Sequence, residues 1–268
     1  MKRRMLVALG LFFACSLCLV GTVTGAKAGY SFIVFNMSAP TINGSVAAGE
    51  WTDAYIDFFY SGWTMTTNLW GVKWAGTFPD IYEYWCIEIF TDTTNDAGDY
   101  FQISMDTLQD NAAAPQTDDF LVNYTGHTPA GIIAYKGTGA DWALFTGWVS
   151  GTDLTIATSF SASPKGAAPH LIIEIAFFKA AGTFGLQINN NARVSYYDAS
   201  NPGAGAIMWP PYSSANVPND YGAGTSDTSG GTIPEGLTIA AMVLLTSVTV
   251  IVSYRYFPKL SKTRAIVY

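Results

Sequence analysis

Three carboxylates and one amide oxygen fall within eight residues in the run Asp92-Thr-Thr-Asn95-Asp96-Ala-Gly98-Asp99. Like charges this close repel unless a cation offsets them. Calcium takes about six to eight hard oxygen ligands, and Gly98 permits a tight bend around an ion. Asp92, Asn95, Asp96 and Asp99 are therefore the expected metal ligands, with Ca2+ as the expected ion. The spacing is not that of an EF-hand, and a solvated Asx turn is the alternative. Asp106, Asp110, Asp118 and Asp119 form a second acidic group that could share the ion or hold another.

A different chemistry needs flat aromatic faces beside directional polar groups. Sugar rings stack their C–H faces on Trp or Tyr, while amides and charged groups take the hydroxyls. Trp63, Trp70, Trp142, Trp148, Trp209 and Tyr212 are the aromatic candidates. Trp142 follows Asp141 in an expected loop, and Trp209 precedes two prolines, so these two are expected to be exposed. Asn190, inside the run Asn189–Asn191, and Arg193 are the expected hydroxyl partners. The expected ligand-binding set is Trp142, Trp209, Tyr212, Asn190 and Arg193. Haem is a rival ligand, with His127, His170, Met65 and Met105 as possible axial groups; the absence of C-x-x-C-H excludes covalent attachment. No nucleophile elbow, zinc-protease, P-loop or dinucleotide motif occurs, so no catalytic residues are expected and the chain reads as a non-enzyme.

The chain that must position these groups has 268 residues, 49% hydrophobic, 15% aromatic and 12% charged. That composition argues against a coiled coil and against disorder. The net charge of −7 conceals an uneven distribution. Eight of the 13 basic residues lie in residues 1–28 and 237–268, whereas all 20 acidic residues lie between. Such a middle stays soluble, attracts cations and argues against nucleic acid as a partner.

Both ends read as addresses. Met-Lys-Arg-Arg, an apolar run from Met5 to Val20, and Ala26-Lys27-Ala28 make the three-part pattern of a secretory signal peptide over residues 1–28. Leu237 to Tyr254 carries no charge, and 18 helical residues span about 27 Å, enough to cross a bilayer. A membrane helix is expected over 237–256, with a basic cytoplasmic tail over 257–268. Residues 213–236, small and polar, read as a flexible linker. The remaining segment, 29–212, is then an extracellular domain tethered to the cell membrane by a single pass. Cys86 would be its one cysteine, a buried small hydrophobe. The sequons at Asn36, Asn43 and Asn123 are compatible with export.

Within that domain, β-branched and aromatic runs alternate with Gly, Pro, Asn, Asp and Ser. Eleven strands are expected: Ser31–Phe35, Asn68–Ala75, Tyr82–Thr91, Tyr100–Met105, Phe120–Tyr124, Gly131–Tyr135, Ala143–Val149, Leu154–Phe160, Leu171–Phe178, Phe184–Asn189 and Arg193–Tyr197. The expected fold is all-β, an antiparallel two-sheet β-sandwich of jelly-roll-like form.

The segment Ala39-Pro-Thr-Ile-Asn43-Gly44-Ser-Val-Ala-Ala-Gly49-Glu50-Trp51-Thr-Asp53-Ala54 resembles the opening of family 9 carbohydrate-binding modules and their DOMON-like relatives. Gly44, Glu50, Trp51 and Ala54 match that pattern, and Asn43 stands where Asp is usual. Ile87-Glu88-Ile89-Phe90-Thr91-Asp92 is similar to the strand in which these domains place an acidic residue. The later segments and Ile233-Pro-Glu-Gly resemble archaeal-type surface proteins and their C-terminal sorting tails. The resemblance implies a β-sandwich that binds carbohydrate, such as a cell-surface glycan, outside the cell, or haem in some relatives. A structural or adhesive surface protein without a small ligand is the alternative. Independently of the resemblance, Trp51 is expected to cover the end of the sandwich core.

Overall fold

Runs of alternating apolar residues divided by short polar turns build thirteen strands in the computed structural model, which describes residues 30–77, 80–179, 183–185 and 189–227. In chain order they are β1 (Ser31–Phe35), β2 (Tyr55–Ser61), β3 (Thr64–Thr77), β4 (Asp80–Ile89), β5 (Tyr100–Asp106), β6 (Asp119–Thr125) and β7 (Ile132–Gly137). The second half adds β8 (Trp142–Leu144), β9 (Leu154–Ser163), β10 (Gly166–Phe178), β11 (Asn191–Tyr197), β12 (Ile207–Trp209) and β13 (Gly222–Asp227). The all-β expectation holds. The sandwich is built from one continuous sheet and not from the expected two: the order is β8-β7-β6-β5-β11-β12-β2-β3-β4-β10-β9, with β13 between β1 and β11. β1 and β13 pair in parallel, so the sheet is not wholly antiparallel.

The sheet curls over itself. Phe101, Ile103, Met105, Val122 and Val194 from one half share a core with Trp70, Trp85, Ile87, Ile173 and Phe177 from the other. A hydrogen bond of 3.0 Å between Tyr124 Oη and Thr158 Oγ1 joins β6 to β9, far apart in strand order. Burying large aromatics such as Trp70 and Trp85 contributes roughly 2–3 kcal/mol each.

β3, β4 and β10 are covered on both faces. Along β4, Trp85, Ile87 and Ile89 face the main core, while Tyr84 and Cys86 face a second cluster with Ile172, Ala176, Val46 and Trp51. Cys86 is buried, as its apolar surroundings led one to expect, and burial pushes its thiol up. Residues 39–54 form a strap over this outer face. Trp51 therefore closes the outside of the sheet and not the end of the core, correcting the expectation for it.

The strap is docked through Glu174 of β10. Its Oε2 accepts the Asn43 and Gly44 backbone N–H groups at 3.0 and 2.9 Å, and its Oε1 accepts Trp51 Nε1–H at 2.9 Å. Gly44 has φ +81°, and a Cβ there would lie 2.6 Å from the Thr158 carbonyl carbon, so only glycine fits. Glu50 accepts the N–H groups of Thr41 and Ala47, which folds the strap on itself. Lys73 of β3, fully buried, donates to the Glu50 carbonyl and to Asp53 Oδ1 at 2.8 Å.

Residues 213–227 were expected within a flexible linker, but they are part of the folded unit. β13 pairs with β1 over five residues and with β11 at Asn191 and Ala192. Its small residues are required by close approach: a Cβ on Gly222 would lie 2.1 Å from the Trp209 ring. Gly222→Ala is expected to cost about 1–3 kcal/mol by overpacking, read as a lowered urea midpoint with unchanged slope.

Segment 184–189, expected as a strand, begins with Phe184 in a turn whose ring fills the core. No helix among the described residues is long and apolar enough to cross a membrane. The expected signal peptide (1–28), the linker beyond residue 227, the membrane helix (237–256) and the basic tail (257–268) lie outside the described residues.

Candidate functional site

A short β-hairpin carries the most exposed tryptophan among the described residues. β2 and β3 are joined at Gly62-Trp63, and the Trp63 side chain is 70% exposed at the tip. Gly62 has φ +59°, and a Cβ there would lie 2.9 Å from Tyr212 Oη, so the hairpin tip lies directly against Tyr212. Tyr212 is 61% exposed and itself adopts φ +57°, a left-handed conformation uncommon for a non-glycine residue. Such strain persists only where surrounding structure imposes it, and it concentrates at binding sites.

The two rings lie 4.9 Å apart and are inclined at 53°. They form an open wedge at the rim of a cavity of about 260 Å³, lined also by Tyr30, Pro210, Asp220 and Tyr221. Apolar faces at the rim and oxygen-bearing side chains at the wall are the two parts a polyhydroxylated ligand requires. Tyr30 packs edge-on against Tyr60 and Trp209, which fixes the wall from within.

Arg193, one of the expected contact residues, supports this site from below. Its Nε–H donates to the Ser213 carbonyl at 3.1 Å and its Nη1–H to Gln102 Oε1 at 2.7 Å. It is buried, and desolvation lowers the pKa of its guanidinium. Ser213 Oγ in turn donates to the Pro210 carbonyl. Arg193 thus positions the segment that carries Tyr212; it does not face solvent.

The other expected ligand residues are dispersed. Trp209 was expected to be exposed but is fully buried, its Nε1–H donating to Asp57 Oδ2 at 2.8 Å. The reason is topological: β12 bridges β11 and β2, and its Trp faces the core where the sheet turns from one half to the other. Asn190 is buried too, and its Nδ2 donates to Glu83. Trp142 is half-buried on β8, where its Nε1–H donates to Asn216 Oδ1 at 3.1 Å. Tyr212 alone of the expected set faces outward at the cavity. Trp63 was among the aromatic candidates, and its place between Gly62 and a polar strand was the signal for exposure.

The acidic loop is organised around Asp92 and Asp99, both buried. Asp92 Oδ1 accepts Thr94 N–H, and its Oδ2 accepts the Tyr196 hydroxyl in a short bond. Asp99 Oδ1 accepts Ala199 N–H at 2.7 Å, while its Oδ2 accepts Asp96 N–H and lies 2.8 Å from His127 Nε2. Burial raises the Asp92 carboxyl above its usual range and, with the Asp92 bond, raises the Tyr196 phenol. Oxygens of Asp96, Asp99 and Asp198 converge within 4.8 Å, and so do ligand atoms of Asp92, Asp99 and His127. Asn95 is exposed. The possible haem groups are placed apart: His127 contacts Asp99, His170 contacts the Ala168 carbonyl and Glu88, Met105 is in the core and Met65 is exposed.

No protein-family model matches the chain, and no curated protein sequence matches it. Among solved structures, the chain is similar to a family 9 carbohydrate-binding module from Caldicellulosiruptor kristjanssonii in complex with cellotriose, at 13% identity and TM-score 0.49, over 76% of this chain and 98% of that one. A second structure of such a module from the same organism, in complex with glucose, is similar at 15% identity and TM-score 0.49, over 76% of this chain and all of the other.

Proposed function

We propose that this chain is a carbohydrate-binding β-sandwich without catalytic activity, and that the ligand rests on Trp63 and Tyr212 at the mouth of the adjoining cavity. The observation that supports this reading is the pair of exposed rings, 4.9 Å apart, beside a cavity with polar walls. A surface exposing two large aromatics side by side gives up burial that the core would reward, so the exposure asks for a ligand. The wedge suits one sugar face against one ring, with the second ring against an edge.

From the sequence of its ends we further propose that the domain is displayed outside a cell membrane. The calcium reading of the acidic loop is likewise a proposal. Asp96, Asp99 and Asp198 supply the oxygens that would take the ion there.

Calorimetric titration of the full chain in detergent with cellotriose and with glucose tests the binding reading. These are the sugars held in the two similar structures, and a glycan array widens the search. Trp63→Ala is expected to weaken binding about five- to twelvefold, since stacking contributes about 1–1.5 kcal/mol and about 1.4 kcal/mol is a factor of ten. Its melting temperature should hardly move, because the side chain is exposed. No heat with any glycan, or equal affinity in Trp63→Ala, overturns the assignment.

A further inference from the structure

We propose that Asp106, Asp118 and Asp119 form a binding site for a hard divalent cation of the calcium class, separate from the aromatic cavity and from the Asp92–Asp99 loop. Asp106 ends β5 and Asp119 begins β6, and the register sets them directly opposite each other. Like charges in that position destabilise an antiparallel pair. Both side chains are fully buried, which removes the water that would screen them. Asp118 stands half-buried beside them, and one carboxylate oxygen from each residue lies within 4.8 Å of the others.

The hydrogen bonds around the group are incomplete in one place. Asp106 is satisfied: its Oδ1 accepts Asp110 N–H, and its Oδ2 accepts Asn111 N–H and Asn191 Nδ2–H. Asp118 Oδ2 accepts Leu108 N–H at 3.2 Å. Asp119 Oδ2 accepts Gln116 N–H at 2.6 Å, but Asp119 Oδ1 is buried with no hydrogen-bond partner among the described residues. None of the three carboxylates makes a salt bridge among the described residues. A buried, unpaired carboxylate oxygen is costly, and a cation bound between the three carboxylates removes both the vacancy and the repulsion.

Two occupants can do this, a metal ion or a proton. Burial, followed by the charges of Asp106, Asp118 and Asp110, raises the Asp119 carboxyl to about 7, so a proton competes at and below neutral pH. The donor set favours the metal: three carboxylates offer more oxygens than one shared proton can bridge, and oxygen-only ligands select hard cations over zinc or copper. Calcium fits best because it tolerates irregular geometry and completes its shell with water.

The test uses the full chain stripped with EGTA and titrated with calcium chloride near pH 8, where a proton competes less. Calcium is expected to raise the melting temperature by several degrees, since binding to the native state alone must stabilise it. Asp119→Asn should lose one calorimetric binding site or weaken it at least tenfold, while its melting temperature in EGTA stays equal to or above that of the wild type. Asp96→Asn, in the other acidic loop, should retain this site. If Asp119→Asn fails to fold, Asp118→Asn at the half-buried position gives the same readout. Calcium binding unchanged in both variants overturns the proposal. So does a wild type whose melting temperature does not respond to calcium.

Discussion

Glu174→Ala is expected to lower stability by about 3–5 kcal/mol, read as a fall in the urea midpoint followed by tryptophan fluorescence. The change deletes no core hydrophobe. It leaves three donors without an acceptor: Asn43 N–H, Gly44 N–H and Trp51 Nε1–H, each within 3.0 Å of the carboxylate. A buried donor deprived of its partner costs about 1–3 kcal/mol, and relaxation of the strap recovers part of the sum. Glu174→Gln should fall between wild type and alanine. Its one carbonyl oxygen can still serve the two backbone donors, but its NH2 then meets the indole N–H, donor against donor. A loss below about 1 kcal/mol in the alanine variant would show that the strap docks by apolar burial alone.

The same residue gives a pH dependence with a definite sign. Burial, opposed by the hydrogen bonds from Asn43, Trp51 and Gly44, leaves the Glu174 carboxyl above the usual glutamate range. The native state then holds a proton at pH values where the unfolded state has released it. Stability from this group is therefore greatest in acid and declines as pH rises from the ordinary glutamate value through the raised one. Glu174→Gln, with nothing to titrate, should lack that part of the decline.

How far the sequence reveals the structure depends on which faces of each strand are covered. β1 is bounded as its composition predicts, and β5, β6 and β11 nearly so, because short runs of Val, Ile, Phe and Tyr end at polar turns. β13 could not be found this way. Gly-Ala-Gly-Thr-Ser-Asp has little intrinsic strand preference, and it becomes a strand because Gly222 and Gly224 let the rings of Trp209 and Phe32 come close. Burial of Trp209 was hidden for a related reason. Two following prolines suggest a chain end, while the bridging role of β12 is a property of the whole sheet. β2 depends on tertiary ties as well, with Asp57 accepting Trp209 Nε1–H from 152 residues away. The opening motif was legible as a motif, but its work was not. Gly44, Glu50 and Trp51 dock a strap on the outer face of β3, β4 and β10, and that face exists only once the sheet has formed. At the cavity, exposure of Trp63 follows from the Gly62 turn, which is local, whereas its meeting with Tyr212 joins segments about 150 residues apart and is not.

Lys179→Met is expected to cost about 3–5 kcal/mol although its charge sits at the margin of the sheet. Lys179 Nζ donates to Glu83 Oε2 at 2.6 Å, and the Glu83 carboxylate is fully buried on β4, on the core side with Trp85. Glu83 also accepts Trp85 Nε1–H at 2.8 Å and Asn190 Nδ2–H. Removing the lysine leaves, among the described residues, these two neutral donors to hold the carboxylate out of water, and an uncompensated buried charge is among the costliest single changes. The charge itself, rather than lost packing, carries the effect, since Met keeps most of the lysine stem. Glu83→Gln added to Lys179→Met should therefore restore about 1–2 kcal/mol: the neutral amide still accepts from the indole and no longer demands a cation. The double-mutant cycle separates the two causes. Coupling near zero would mean that Lys179 acts through something other than its charge on Glu83, and that Trp85 and Asn190 are enough to hold Glu83 in the interior.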